Sequence, residues 1–175
     1  AFEDDFKFDA ELNGDPIHLL GDSSDYGVAR ILYEDAPGGS YKSLGYISTA
    51  MLNDNRKAMT HGVDAHFLSA GGKLTVDGQL FLSDIEDEET GQGGFLDFEY
   101  NFRKGVVQRL GIEWADDHVD INDMGFLGRN SYRQIRTAHS RVSSDLSWAR
   151  RNDFDLRGFI QKNSENLLSG AGVFL

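Results

Sequence analysis

Leu96-Asp97-Phe98-Glu99-Tyr100-Asn101-Phe102-Arg103 alternates apolar and polar side chains without a miss. A period of two sends successive side chains to opposite sides of a strand, so leucine and the aromatics share one face and the charges the other. The same alternation returns at Phe6-Lys7-Phe8-Asp9-Ala10-Glu11-Leu12, at Val63-Asp64-Ala65-His66-Phe67 and at Leu74-Thr75-Val76-Asp77-Gly78-Gln79-Leu80. Working outward, Tyr26–Asp35, Lys42–Met51, Gln108–Ala115, Tyr132–Ser140, Phe154–Gln161 and Leu167–Leu175 read as further strands, several with aromatic or branched residues at alternate positions. No apolar stripe of helical period is present. Arg141–Arg150 reads either as a turn or as the middle of one long strand, which makes the expected total nine or ten.

The chain has 175 residues, of which 39% are hydrophobic, enough for one domain or part of one. A net charge of -12, from 29 acidic and 17 basic residues, argues against nucleic acid as a partner. With no cysteine, disulfides, thiolate metal sites and cysteine nucleophiles are excluded. No window approaches the roughly 18 apolar residues of a membrane-spanning helix, so a meeting with a bilayer must be made by strands. The first residues, Ala1-Phe2-Glu3-Asp4-Asp5, carry no targeting pattern and read as the start of a mature chain or of an interior piece.

The predicted connections suggest a parity. Short turns, Ser69-Ala70-Gly71-Gly72-Lys73 and Arg103-Lys104-Gly105, alternate with longer polar loops at Gly14–Asp25, Leu52–Lys57, Asp84–Gly94 and Asp116–Asn130, with 36–40 intermediate. An up-and-down transmembrane barrel has short turns on one side and long loops on the other, whereas Greek-key connections mix the two ends. Both prolines, Pro16 and Pro37, fall in predicted connections. The expected fold is therefore all-β, an antiparallel up-and-down transmembrane β-barrel segment in which residues 1–175 are part of one barrel domain. Phe98, Tyr100, Phe102, Leu110, Ile112 and Trp114 would face lipid. Asp97, Glu99, Asn101, Arg103, Arg109 and Glu113 would face a polar lumen, with Tyr46, Tyr100, Trp114 and Trp148 in an aromatic girdle near strand ends. By pattern alone a soluble sheet with one buried face fits equally, and the loop parity favours the barrel.

Site chemistry gives little. His61 and His66 fall on opposite faces of a strand, which does not make a metal site. Asp84-Ile85-Glu86-Asp87-Glu88-Glu89 reads as a solvated acidic loop. The stretch beginning at Asp120 places Gly125 sixth, as a calcium loop does, but Met124 stands fifth and Ser131 twelfth, where a bidentate Glu is required. No phosphate loop or nucleophile elbow is found, and no catalytic residue, metal or cofactor is expected.

Leu110–Tyr132, LGIEWADDHVDINDMGFLGRNSY, resembles a recurrent segment of bacterial outer-membrane proteins in which a carbohydrate-binding module of the family-nine type precedes a C-terminal β-barrel of uncharacterised function. The specific part is Asp120-Ile121-Asn122-Asp123-Met124-Gly125-Phe126-Leu127-Gly128-Arg129-Asn130. Upstream, Tyr26-Gly27-Val28-Ala29-Arg30, Ser43-Leu44-Gly45-Tyr46-Ile47 and Gly62-Val63-Asp64-Ala65 look like that barrel's hairpins in the same order. The chain departs from the pattern in lacking the module and in ending Gly172-Val173-Phe174-Leu175, without a terminal aromatic, so it reads as an interior part of a longer protein.

The resemblance implies an outer-membrane location in a Gram-negative bacterium, the outer-membrane bilayer as partner, with envelope proteins or glycans as further partners, and a carbohydrate-related role through the companion module. No ligand residue is carried over. From the residues themselves, Asp120, Asn122, Gly125, Phe126 and Arg129 are expected to build a structured loop bracing one end of the barrel, with Arg129 pairing with Asp117 or Asp120. The expected role is a non-enzymatic channel, surface-binding or envelope-complex component. The rivals are a soluble lectin-like domain and a barrel-embedded hydrolase using a lumen acid such as Glu99 or Glu113.

Overall fold

The computed structural model describes residues 24–121, 130–144 and 146–175, together with the backbone of three strands nearer the N-terminus. Those three are β1 (Phe2–Asp4), β2 (Lys7–Leu12) and β3 (Asp15–Leu20). Nine longer strands follow: β4 (Ser24–Asp35), β5 (Tyr41–Leu52), β6 (Lys57–Leu68), β7 (Leu74–Ile85), β8 (Gly91–Arg103), β9 (Val106–Ala115), β10 (Tyr132–Ser143), β11 (Asn152–Asn163) and β12 (Leu168–Phe174). The nine form one antiparallel up-and-down sheet in sequence order, with β1 added beside β4. Among the described residues there is no α-helix, and no helix is long and apolar enough to cross a membrane.

Among the described residues the sheet is not closed: β12 pairs only with β11, and beyond the short β1 the edge of β4 is unpaired. In place of the barrel expected from the sequence, the structure has an open, staggered antiparallel sheet. The hydrogen-bonded row that leaves β4 at its last residue, Asp35, runs through Val76 and Leu110 and crosses β11 at Gly158, six residues beyond that strand's start at Asn152. At ~3.3 Å per residue and ~4.8 Å between strands, this stagger corresponds to a tilt of about 30°, close to the ~35–45° of closed barrels.

Several expectations need correcting. Phe6–Leu12 was expected to belong to the main sheet; its strand β2 instead pairs with β3 in a separate two-stranded hairpin. Gly14–Asp25 is therefore no single loop, and Pro16 lies in a strand, opposite Glu11, in a sheet where both strands are edges and a missing N–H is tolerated. Leu52–Lys57 is a four-residue turn, 53–56, because the Asn53 side-chain carbonyl accepts the N–H groups of Asn55 at 2.9 Å and of Arg56.

Most of Asp84–Gly94 is strand. Its glycines, which read as loop, leave space for neighbouring rings on both faces: a Cβ on Gly93 would sit 2.5 Å from the Phe81 ring and one on Gly94 3.0 Å from the Trp114 ring. The parity weakens accordingly. Connections 36–40, 69–73, 104–105 and 144–151 lie at one end, the turn end. At the other, the loop end, lie 53–56, 86–90, 116–131 and 164–167, and only 116–131 is long. The ambiguous Arg141–Arg150 resolves into the end of β10 and a connection before β11.

The two faces differ as the alternation implies. Along β5, Lys42, Leu44 and Tyr46 are exposed, while Tyr41 and Ser43 are half-buried and Gly45 is buried. The first set shares its face with Ile31, Val63, Leu80, Leu96, Ile112, Ile135 and Ile160, a continuous apolar surface. Most of these side chains are exposed. Buried apolar residues are few and gather at the loop end of the opposite face, where Tyr26, Met51, Ala58 and Ile85 share one row. In the expected girdle, Tyr100 and Trp114 lie towards strand ends, but Tyr46 sits mid-strand and Trp148 lies in the connection 144–151.

Candidate functional site

The polar face is the candidate site. Direct cross-strand neighbours point to the same side, and here they form a ladder of charge from β6 to β11. Glu99 on β8 faces Arg109 on β9, whose Nε donates to Glu99 Oε2 at 2.8 Å. Asp97, Gly111 and Arg136 stand in one row on β8, β9 and β10. Arg136 Nη2 donates to both Asp97 oxygens at 3.0 and 2.9 Å, and its Nη1 donates to Glu113 Oε2 at 3.0 Å.

That reach across a whole strand depends on Gly111, where a Cβ would sit 2.5 Å from Arg136 Nε and from Asp97 Oδ1. Gly45 plays the same part between β4 and β6. A Cβ there would lie 2.6 Å from Asp64 Oδ1, and Arg30 reaches Asp64 at 3.5 Å.

Asp77 and Asp97 oppose each other directly, a like-charged pair that is unfavourable alone. Each is offset on its other side, Asp77 by a hydrogen bond with His66 and Asp97 by Arg136. On β11, Asp155 takes a hydrogen bond from Ser140 at 3.2 Å and one from Arg157 Nε at 2.8 Å. The members are part-exposed, so each pair is worth on the order of 1 kcal/mol or less. Their collective effect is to fix a polar surface around a concavity of about 1110 Å³, lined by Asp77, Asp97, Glu99, Arg109, Arg136 and Arg157 among others.

At the loop end, residues 116–121 fold over this face. Val119 is 1% exposed, and a side chain on Gly91 would run into the backbone of His118 and Val119. Ser83, equally buried, donates to the Asp120 carbonyl and accepts the Asp120 N–H at 3.2 Å. The acidic run is not simply solvated, as its composition suggested. Glu86 pairs with Lys57 at 2.8 Å, Glu88 with Arg56 at 3.4 Å and Glu89 with His118 at 3.2 Å.

Of the loop residues singled out from the sequence, Asp120 is paired with Arg56 at 2.9 Å. Asn122, Gly125, Phe126 and Arg129 lie outside the described residues. Replacing Arg56 by Ala removes its pairs with Glu88 and Asp120, and loss of about 1 kcal/mol should speed exchange of the Asp120 amide about fivefold. Native-state hydrogen exchange reads this directly.

The chain matches no family model, no curated protein and no solved structure. The site must therefore be read from its own chemistry. Among the described residues no group of three or more His, Asp or Glu side chains could hold a metal ion. His66 and His61 fall on opposite faces, the first with Asp77 and the second hydrogen-bonded to Tyr46 at 2.9 Å. What sequence reasoning missed is the part played by Arg136, whose partner Asp97 is two strands away across Gly111. Glycine in an otherwise regular alternation was the available signal.

Proposed function

We propose that this chain is wall of an outer-membrane β-barrel, non-enzymatic, whose polar face lines an interior for the passage or binding of polar solutes. The observation that carries this reading is the continuous exposed apolar face opposite the ion-paired one. A soluble sheet would cover the apolar side, yet the accessible surface is 12302 Å², against about 8500 Å² expected for a globular monomer of this mass. Strands of 12 residues tilted by about 30° span about 34 Å, which fits a hydrocarbon core of ~30 Å.

Some polar side chains on the apolar face pair with one another, which lowers their cost in hydrocarbon. Gln108 donates to Thr137 Oγ1 at 2.8 Å and shares a 3.2 Å hydrogen bond with His139, and Tyr46 is joined to His61. The resemblance of Leu110–Tyr132 supports the same location and adds glycans as a class of partner, alongside proteins of the envelope.

Extraction tests the reading. The full chain should partition into detergent micelles or lipid vesicles and there protect its strands from protease. A chain that stays monomeric in buffer without detergent sinks the barrel and favours a soluble sheet. Hydrolytic activity abolished by Glu99→Gln or Glu113→Gln would overturn the non-enzymatic part.

A further inference from the structure

The apolar face carries, near its loop end, two cations without carboxylate partners. Arg133 on β10 and Lys162 on β11 are direct cross-strand neighbours, and Trp114 on β9 is the next residue in that row. Like charges directly opposite are unfavourable unless an anion lies between them. Both side chains are exposed, and neither has an acidic partner within 4.0 Å among the described residues. Elsewhere on this face Lys42 is matched by Asp35 at 3.1 Å and Lys57 by Glu86 at 2.8 Å.

The nearby acids are engaged. Asp116 accepts the N–H groups of Gln92 at 2.9 Å and His118 at 3.1 Å, and Asp117 lies 3.7 Å from His118 Nε2. Two residues further from the loop end, Ile112, Ile135 and Ile160 form an exposed apolar row directly under the cationic one. Cations and isoleucines line one concavity of about 770 Å³, together with Asp116, Asp117 and Glu113, the last of which pairs with Arg136.

We propose that this is a binding site for one anionic phospholipid, its phosphate between Arg133 and Lys162 and an acyl chain along Ile112, Ile135 and Ile160. The inference rests on the reading that this face meets lipid. Charge complementarity selects the occupant: a soluble anion has no use for the isoleucine row, and a zwitterionic lipid brings its own cation. Guanidinium and ammonium supply hydrogen-bond donors to phosphate oxygens, and an indole beside the headgroup occupies the interfacial position that tryptophan favours.

The chain has two tryptophans, so Trp148→Phe leaves Trp114 as the reporter. The full chain carrying this change is reconstituted into phosphatidylcholine vesicles in which a tenth of the lipid is acyl-brominated, either phosphatidylglycerol or phosphatidylcholine. Quenching should report an enrichment of brominated phosphatidylglycerol over brominated phosphatidylcholine of at least about fivefold around Trp114. In Arg133→Gln/Lys162→Gln the ratio should fall to about one, with the far-ultraviolet spectrum unchanged. Equal quenching by the two lipids in the parent, or a preference that survives in the double variant, overturns the site and leaves the membrane reading standing. Quenching by neither lipid overturns both.

Discussion

Leu80→Arg is expected to cost about 2–4 kcal/mol when the chain folds into lipid vesicles, the penalty of a cation at mid-depth on a lipid-facing strand. Leu80 is the seventh residue of β7 and 57% exposed, between Val63 on β6 and Gly94 on β8. At so exposed a position in a water-soluble sheet, the same change stays within ~0.5 kcal/mol. The two environments thus predict results that differ by several-fold from one substitution.

Depth supplies the control. Phe102→Arg, next to the last residue of β8 at the turn end, should cost only about 0–1 kcal/mol because the cation reaches the interface. Urea titration of folding into phosphatidylcholine vesicles measures both. Equal small penalties at the two positions would remove the membrane from the interpretation.

Gly111→Leu is the second large effect. A Cβ at Gly111 already lies 2.5 Å from Arg136 Nε and Asp97 Oδ1, so the larger side chain must displace the guanidinium that bridges β8 and β10. Overfilling a packed position costs about 1–3 kcal/mol, and separating Arg136 from Asp97 leaves Asp97 facing Asp77 without its compensating charge. Gly27→Ala is the matched control, since a Cβ there has nothing within 4 Å. Denaturant unfolding should separate the two variants clearly. If the chain serves as a passage, Gly111→Leu should also reduce single-channel conductance in planar bilayers, because the leucine enters the polar concavity. A stability change no larger than that of Gly27→Ala would dismiss the crossing of β9 by Arg136 as a determinant of the wall.

Much of the wall was legible because period two is a local property. Leu96–Asn101 announces its faces by itself, and the pairing of Glu99 with Arg109 follows once two adjacent strands are aligned across a short turn, although a bulge before Arg103 sets that residue opposite Val106 and off the polar face expected for it. Composition misled where glycine and acid clustered. Asp84–Gly94 reads as loop from residue type, but Gly93 and Gly94 are small because Phe81 and Trp114 lie over them. Loop lengths misled for a related reason: Asn53 closes a turn with its side chain, and no count of polar residues measures that.

The loop-end brace shows the same division. Asp120 stood out in the sequence, but its partner Arg56 lies 64 positions earlier and its neighbour Ser83 lies 37 earlier. Both meet it only because 53–56, 86–90 and 116–131 emerge at one end of the sheet.

By itself, then, the sequence determined strand class, the order of the hairpins and which side chains share a face, since each depends on residues a few positions apart. Tertiary structure decided which side chains meet between strands: the bridging of Asp97 by Arg136 over Gly111, two strands away, and, on adjacent strands, the offset of Asp77 by His66 and the neighbouring cations Arg133 and Lys162. Those contacts are set by register and stagger. A shift of one residue in either would send every side chain of a strand to the other face.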